Sequence, residues 1–279
     1  MKSSILTLLL LFLSLLTARS QQDEPVSLVY QSSMIGYGKS SVYDTYLSPI
    51  EYKGEDIGLY HEQMKMTGLM KDKVSAQHLF NINFSWGDNK TGTATNYSGF
   101  FDYAYGLHYK FEPVDRLQLF AGSQANGLLG FIYNTRNGNN PATGKAHANL
   151  NLSGIASYHF QVKSQPVFLR YQLSIPVMGA FFSPEFGQSY YEISLGNHDQ
   201  LAHFASFHNY LSMRNMVSIE VPVKRFTFRL SYQNWVYETR INKLETRVNR
   251  NSVYIGLSKN FYTVPYKKRS QIQSISVFD

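Results

Sequence analysis

Long stretches of the chain alternate apolar and polar side chains with a period of two, the pattern of a β-strand with two unlike faces. Over 99–111 one face carries Phe101, Tyr103, Tyr105, Leu107, Tyr109 and Phe111, and the other Asp102, Ala104, Gly106, His108 and Lys110. Over 146–162 the split is Ala148, Leu150, Leu152, Ala156, Tyr158 and Phe160 against a face of His, Asn, Ser and Gln. The runs 75–86, 167–175, 211–221 and 226–238 behave the same way. Several are about twice the length of an ordinary strand. A tilted strand that crosses a bilayer needs roughly 9–11 residues, which suits them better. A soluble sandwich or lipocalin-like barrel would turn the aromatic face inward. Here the opposite face is rich in Asn, Gln, Ser and Gly, which suits a lumen better than a whole soluble exterior.

The spacing of the links gives a topology. Short links fall at 112–116, 163–165 and 222–225. Long polar links fall at 87–98, 134–145, 179–188 and 239–250, alternating with the short ones. Outer-membrane barrels have short periplasmic turns and long outer loops. The expected fold class is therefore all-β, a transmembrane antiparallel β-barrel of about twelve strands with both termini periplasmic. Ten strands are the alternative, because 189–211 is the weakest part of the count. The strands are placed near 28–37, 57–68, 75–86, 99–111, 117–132, 146–162, 166–178, 189–196, 201–207, 211–222, 226–238 and 249–262. Residues 1–20 read as a secretory signal: Lys2, an apolar core over 5–16, and the small-x-small site Ala18-Arg19-Ser20. The expected organisation is signal 1–20, barrel 21–262 and a basic tail 263–279, whose last residues could instead form an extra strand.

Several motifs carry a resemblance. They are Met34-Ile35-Gly36-Tyr37-Gly38, the run Tyr43-Asp44-Thr45-Tyr46-Leu47-Ser48-Pro49 with Glu51-Tyr52-Lys53-Gly54, the segment 133–141, and Gly179-Ala180-Phe181-Phe182-Ser183-Pro184 leading into Ser189-Tyr190-Tyr191-Glu192. Together they resemble the signature of an uncharacterised Bacteroidota family of outer-membrane barrels, a domain of unknown function, over residues 30 to 260. The resemblance implies location and fold. It brings no catalytic or binding residue with it.

Composition narrows the chemistry. Of 279 residues, 15% are aromatic and 16% charged, and there is no Cys, which excludes a disulfide framework, a Cys-ligated metal and a catalytic cysteine. The formal net charge of +7 is scattered rather than clustered, so nucleic acid is a poor fit. No phosphate-binding glycine loop follows a strand, and no cofactor is expected. His198, His203 and His208 lie close together beside Asp199, but this spacing does not make metal ligands converge, and no metal is expected. A lipid hydrolase would need a serine beside a histidine base. The candidates are Ser157 with His159 and Ser206 with His208. The lumen charge candidates are Asp102, Lys110, Arg170, Glu192, Arg214, Glu220 and Arg229. A charged ring of this kind selects ions in an open pore, or pairs internally and closes it. In the outer loop, Asn134, Arg136, Asn137, Asn139 and Asn140 are candidates for binding sugars or anionic headgroups, or else for simple turn capping.

The leading expectation is a non-enzymatic integral barrel of a Gram-negative outer membrane: a narrow pore for small solutes, or an accessory subunit of an envelope complex. Its expected partners are outer-membrane lipids and other envelope proteins. A membrane-embedded hydrolase using a Ser-x-His pair is the alternative.

Overall fold

The computed structural model describes residues 27–263, apart from Asp199, Lys224 and Arg225. The alternating runs fold as β1 (Ser27–Asp44), β2 (Ser48–Met66), β3 (Val74–Asp88), β4 (Thr95–Val114), β5 (Leu117–Asn134), β6 (Ala142–Val162), β7 (Gln165–Phe182), β8 (Ala202–Ala205), β9 (Tyr210–Val223), β10 (Phe226–Ile241) and β11 (Leu244–Thr263). A single helical turn, α1 (Tyr190–Ser194), lies between β7 and β8. β1 to β7 pair in sequence, β7 continues to β9, and then β10, β11 and back to β1 close the sheet. The paired neighbours are antiparallel. Residues Val29–Phe261 thus form a closed barrel with ten wall positions. The expected signal and almost all of the expected tail lie outside the described residues.

Ten strands replace the expected twelve for two local reasons. Segment 189–196, expected as a strand, begins with a capping box. The Ser189 side chain accepts from the Glu192 N–H, and the Glu192 carboxylate accepts from the Ser189 N–H. That reciprocal pair favours a helical turn over an extended one. The segments 201–207 and 211–222, expected as two opposed strands, run the same way along one edge of β7. β8 pairs with its end over Gly179–Phe182, and β9 pairs with it over Phe168–Ser174. They form one wall strand interrupted at 206–209. There Asn209 Oδ1 accepts from the Ser206 N–H and its amide donates to Phe204 O, which folds the excursion back on itself.

Strands also run further than expected. The link 239–250 is mostly wall, because β10 and β11 continue to a two-residue turn at Asn242 and Lys243. Both have positive φ, 52° and 61°, the backbone that matches the strand twist in a tight hairpin.

One end of the barrel carries the turns 45–47, 89–94 and 242–243, the loop 135–141 and the long connection 183–209; we call it the loop end. The other carries the start of β1 and the end of β11, and we call it the terminal end. Outward side chains form an apolar band. Ile57, Leu59, Ile82, Phe84, Phe101, Leu129, Leu152, Leu169, Phe228, Leu230, Val253 and Ile255 are all exposed. Inward positions hold the buried polar residues.

Candidate functional site

The barrel interior is the obvious place for a site, and it is full. Towards the loop end, Phe100, Leu128, Ile132, Phe181, Trp235 and Tyr237 pack together with Val42, Leu47, Tyr210 and Val248. Trp235 and Phe100 meet edge to face with centroids 5.2 Å apart, and Tyr210 and Tyr237 do so at 5.9 Å. These inward aromatics close the mouth as an apolar seal. A second cluster, Met34, Tyr60, Leu79, Met216 and Tyr254, sits deeper.

Charge threads between these layers in balanced pairs. Lys145 bonds Asp44 at 2.6 Å and Thr246 at 2.8 Å near the loop end. Arg250 Nε lies 3.2 Å from Asp56, and its guanidinium is held over the rings of Phe100 and Trp235 at 5.0 and 5.2 Å. Arg214 bonds Asp102 at 2.8 Å. Towards the terminal end, Arg170 and Arg229 share Glu62, one on each carboxylate oxygen. Arg229 Nε also lies 3.5 Å from Glu220, whose carboxylate accepts from the Tyr30 hydroxyl at 2.7 Å. Gln77, Gln124 and Gln172 extend this network across the barrel. Asp44, Asp56, Glu62, Asp102 and Glu220 thus match Lys145, Arg170, Arg214, Arg229 and Arg250 in charge. A void of about 20 Å³ remains beside Asp102, Arg214, Gln172 and Gln233, room for about one water.

The structure brings Arg170, Glu220 and Arg229 into one cluster and joins Asp102 to Arg214. Lys110 stands near the terminal rim and pairs with the exposed Glu112 at 2.7 Å. Glu192 is not on a strand at all, and its place among the lumen charges is corrected. It lies exposed in α1, where the Ser189 backbone and hydroxyl bonds hold its carboxyl below the usual range.

Asp44, Asp56, Glu62, Lys145 and Arg250 escaped the sequence reading. Four of them fall in stretches read as links, or just outside the expected strand ends, because an inward polar residue and a loop residue look alike in a sequence. The signal that finds them is parity. Asp56 and Glu62 share the even-numbered face of β2 with the buried Tyr60, and Arg250 shares that of β11 with the buried Tyr254.

The two ends differ. At the terminal end a cleft of about 550 Å³ is lined by Glu112, Arg116, Gln118, Ser157, His159 and Phe168. His159 stacks on Phe168 at 4.8 Å and forms no hydrogen bond with Ser157 among those described. At the loop end the 206–209 excursion brings the Ser206 hydroxyl onto His208 Nδ1, in the open, beside a shallow pocket of about 220 Å³. His203 turns instead to Ser183 O at 3.1 Å.

The loop 135–141 is occupied by its own turn. Asn134 Oδ1 accepts from the N–H groups of Arg136 and Asn137, and Asn137 Oδ1 from those of Asn139 and Asn140. Asn137 also donates to Leu47 O at 3.1 Å. The long connection is strapped over the mouth by two tyrosines. Tyr46 donates to Gln188 O at 2.9 Å, and the Tyr190 hydroxyl accepts from the Gly144 N–H. Burial pushes the Tyr46 hydroxyl up to about 12 and raises that of Tyr190, so both remain protonated.

A closed antiparallel wall, apolar outside and polar within, is a β-barrel of the outer-membrane type. Residues 4–268 match the family described as "Protein of unknown function (DUF3316)", and the chain belongs to that family. No curated protein matches the sequence. Among solved structures, the fold is similar to the outer membrane protease OmpT from Escherichia coli, at 11% identity and a TM-score of 0.43 over 87% of this chain and 99% of that one. It is similar to the translocator domain of the autotransporter NalP from Neisseria meningitidis, at 9% identity and a TM-score of 0.41 over 93% and 96%. An outer membrane channel from Pseudomonas putida F1 is similar at 9% identity and a TM-score of 0.36 over 87% and 98%.

Proposed function

We propose that this protein is an integral outer-membrane barrel whose lumen does not conduct, and that it serves as an accessory barrel of an envelope complex rather than as a pore. The loop end faces outward and both termini face the periplasm. The apolar outer band and the closed wall support residence in a bilayer, where each backbone polar group needs an internal partner. The observation that carries the non-conducting reading is the Glu62–Arg170–Arg229 cluster. Its side chains are almost without exposure, although they stand where a channel axis would run. Buried charges of this kind are held by their partners and are not free to coordinate a passing ion. On this reading Asp102, Arg170, Arg214, Glu220 and Arg229 hold the barrel together, and the working surfaces are the loop end, the terminal rim and the outer wall.

The test is planar-bilayer recording of the folded full-length protein, with a mild-detergent pull-down of the same sample. Silence together with stoichiometric partners is the expected result. Discrete conductance steps whose ion preference shifts with Arg170→Gln or Arg214→Gln would restore the pore and overturn the proposal.

A further inference from the structure

The outer wall has a polar notch in its apolar band. β4 presents six alternate apolar side chains outward, from Phe101 to Phe111. On β1 and β2 the outward apolar stretch is only Ile35 with Tyr37 and Ile57 with Leu59. Above it, the Lys39–Glu55 ion pair marks where the wall leaves the lipid. Below it stand Ser33 opposite His61, and Gln31 opposite Gln63. With a rise of about 3.3 Å per residue, a tilt near 40° and a band about 25 Å tall, roughly ten residues below Lys39 belong to the lipid-facing zone. Ser33 and His61 fall within it. An ionisable side chain at such a depth is costly to place against lipid and marks a functional site before it marks anything else.

The notch has the parts of a nucleophile site. Ser33 Oγ lies 2.8 Å from His61 Nδ1. The amide of Gln31 lies 3.5 Å from the other ring nitrogen, Nε2. A half-turn of that amide sets its oxygen on Nε2, fixes the ring proton there and leaves the Nδ1 lone pair facing the serine hydroxyl. Ser33 is exposed, so a substrate can reach it, and Gln63 stands one residue pair away on the same face as an amide donor. A bilayer that thins to meet this short apolar band would bring lipid ester carbonyls of the terminal-side leaflet towards the level of Ser33, under Ile35 and Leu59.

We propose that Ser33 and His61 form an acyl-ester hydrolase site on the lipid-facing wall, acting on glycerophospholipid acyl esters. Ser33 Oγ attacks the ester carbonyl carbon and its proton passes to His61 Nδ1. The bond from that carbon to the glycerol oxygen breaks, and His61 returns the proton to the departing alkoxide. His61 then takes a proton from water, whose oxygen attacks the acyl-serine carbonyl carbon; the bond from that carbon to Ser33 Oγ breaks, His61 returns the proton to Oγ, and a free fatty acid leaves. Gln31 is a positioning residue that holds the ring. Neither Ser-x-His pair found in the sequence takes part.

The inference rests on the wall being embedded in lipid, so the experiment separates the two. Membranes carrying the full chain are washed with alkaline carbonate. The purified, folded protein is then given mixed micelles of phosphatidylglycerol with a labelled acyl chain, and separately a fluorophosphonate. The expected result is carbonate-resistant protein, equal amounts of fatty acid and lysolipid, and a fluorophosphonate adduct on Ser33. Ser33→Ala and His61→Gln should each lower the rate by about 100-fold or more. Gln31→Ala should shift the pH profile of the rate while Gln31→Glu restores it. Protein released by carbonate overturns both proposals. Embedded, folded protein that releases no fatty acid, or a Ser33→Ala variant as fast as the parent, overturns this one alone.

Discussion

Glu62 has no exposed surface, and each of its carboxylate oxygens takes a different arginine. Removing it leaves two buried guanidinium groups facing each other with only Glu220 and neutral partners. Truncating one member of a buried ionic group costs about 3–5 kcal/mol. Glu62→Ala should therefore lower the temperature at which the folded barrel loses its heat-modifiable gel mobility, and on the non-conducting reading it should still give no conductance in a bilayer. A melting temperature within a degree of the parent's would show that the cluster contributes little. At this scale the sequence was half legible. Parity placed Asp102, Arg170, Arg214, Glu220 and Arg229 on inward faces, because a strand alternates strictly. It could not pair them. Arg229 and Glu62 are 167 positions apart, and only closure of the wall brings them together.

The seam between β1 and β11 closes the barrel, and glycines make it fit. A Cβ on Gly38 would lie 2.1 Å from Asn251 O, and one on Gly256 would lie 2.1 Å from Ser33 O. Neither can be relieved by turning a flexible side chain, since the obstacle is backbone. Gly38→Val should cost about 3 kcal/mol by overpacking and leave much of the protein unable to form the compact, protease-resistant barrel. Gly138→Val is the control, because nothing lies within 4 Å of its Cβ position. Equal folding yields for the two would contradict the tight seam. Element boundaries show what misleads a reading of the chain at this scale. The expected strand at 189–196 gave way to α1 because the Ser189–Glu192 capping box is stronger locally than a weak alternation. The expected link 239–250 became wall because Asn242 and Lys243 alone make the turn. Both signals are present in the sequence, and both are short.

The interior has two closures in series: the aromatic layer around Trp235 and Tyr237, and the Glu62–Arg170–Arg229 layer nearer the terminal end. Opening one leaves the other. Trp235→Ala should therefore stay silent in a planar bilayer, although the cavity it creates lowers stability by about 3–5 kcal/mol. Steady conductance from Trp235→Ala alone would show that the ionic layer does not close the barrel. The charge balance inside also bears on the whole molecule. Among the described residues the buried acids and bases cancel, so the formal +7 of the chain is carried by its other residues.

The sequence by itself determined the class of fold and the direction of each strand face. The period of two over runs this long, with aromatics on one side and amides on the other, fits a membrane wall, and the loop spacing sets the antiparallel order. Tertiary structure alone decided the number of strands, whether the lumen is open, and which polar residues meet. Those depend on shear and closure, which bring distant strands into register, and on side-chain volume across the axis. A Trp or an Arg on an inward face lines a channel in a wide barrel and fills a narrow one. The Ser33–His61 contact has the same origin, since it joins β1 to β2 across a register that no local spacing of serine and histidine encodes.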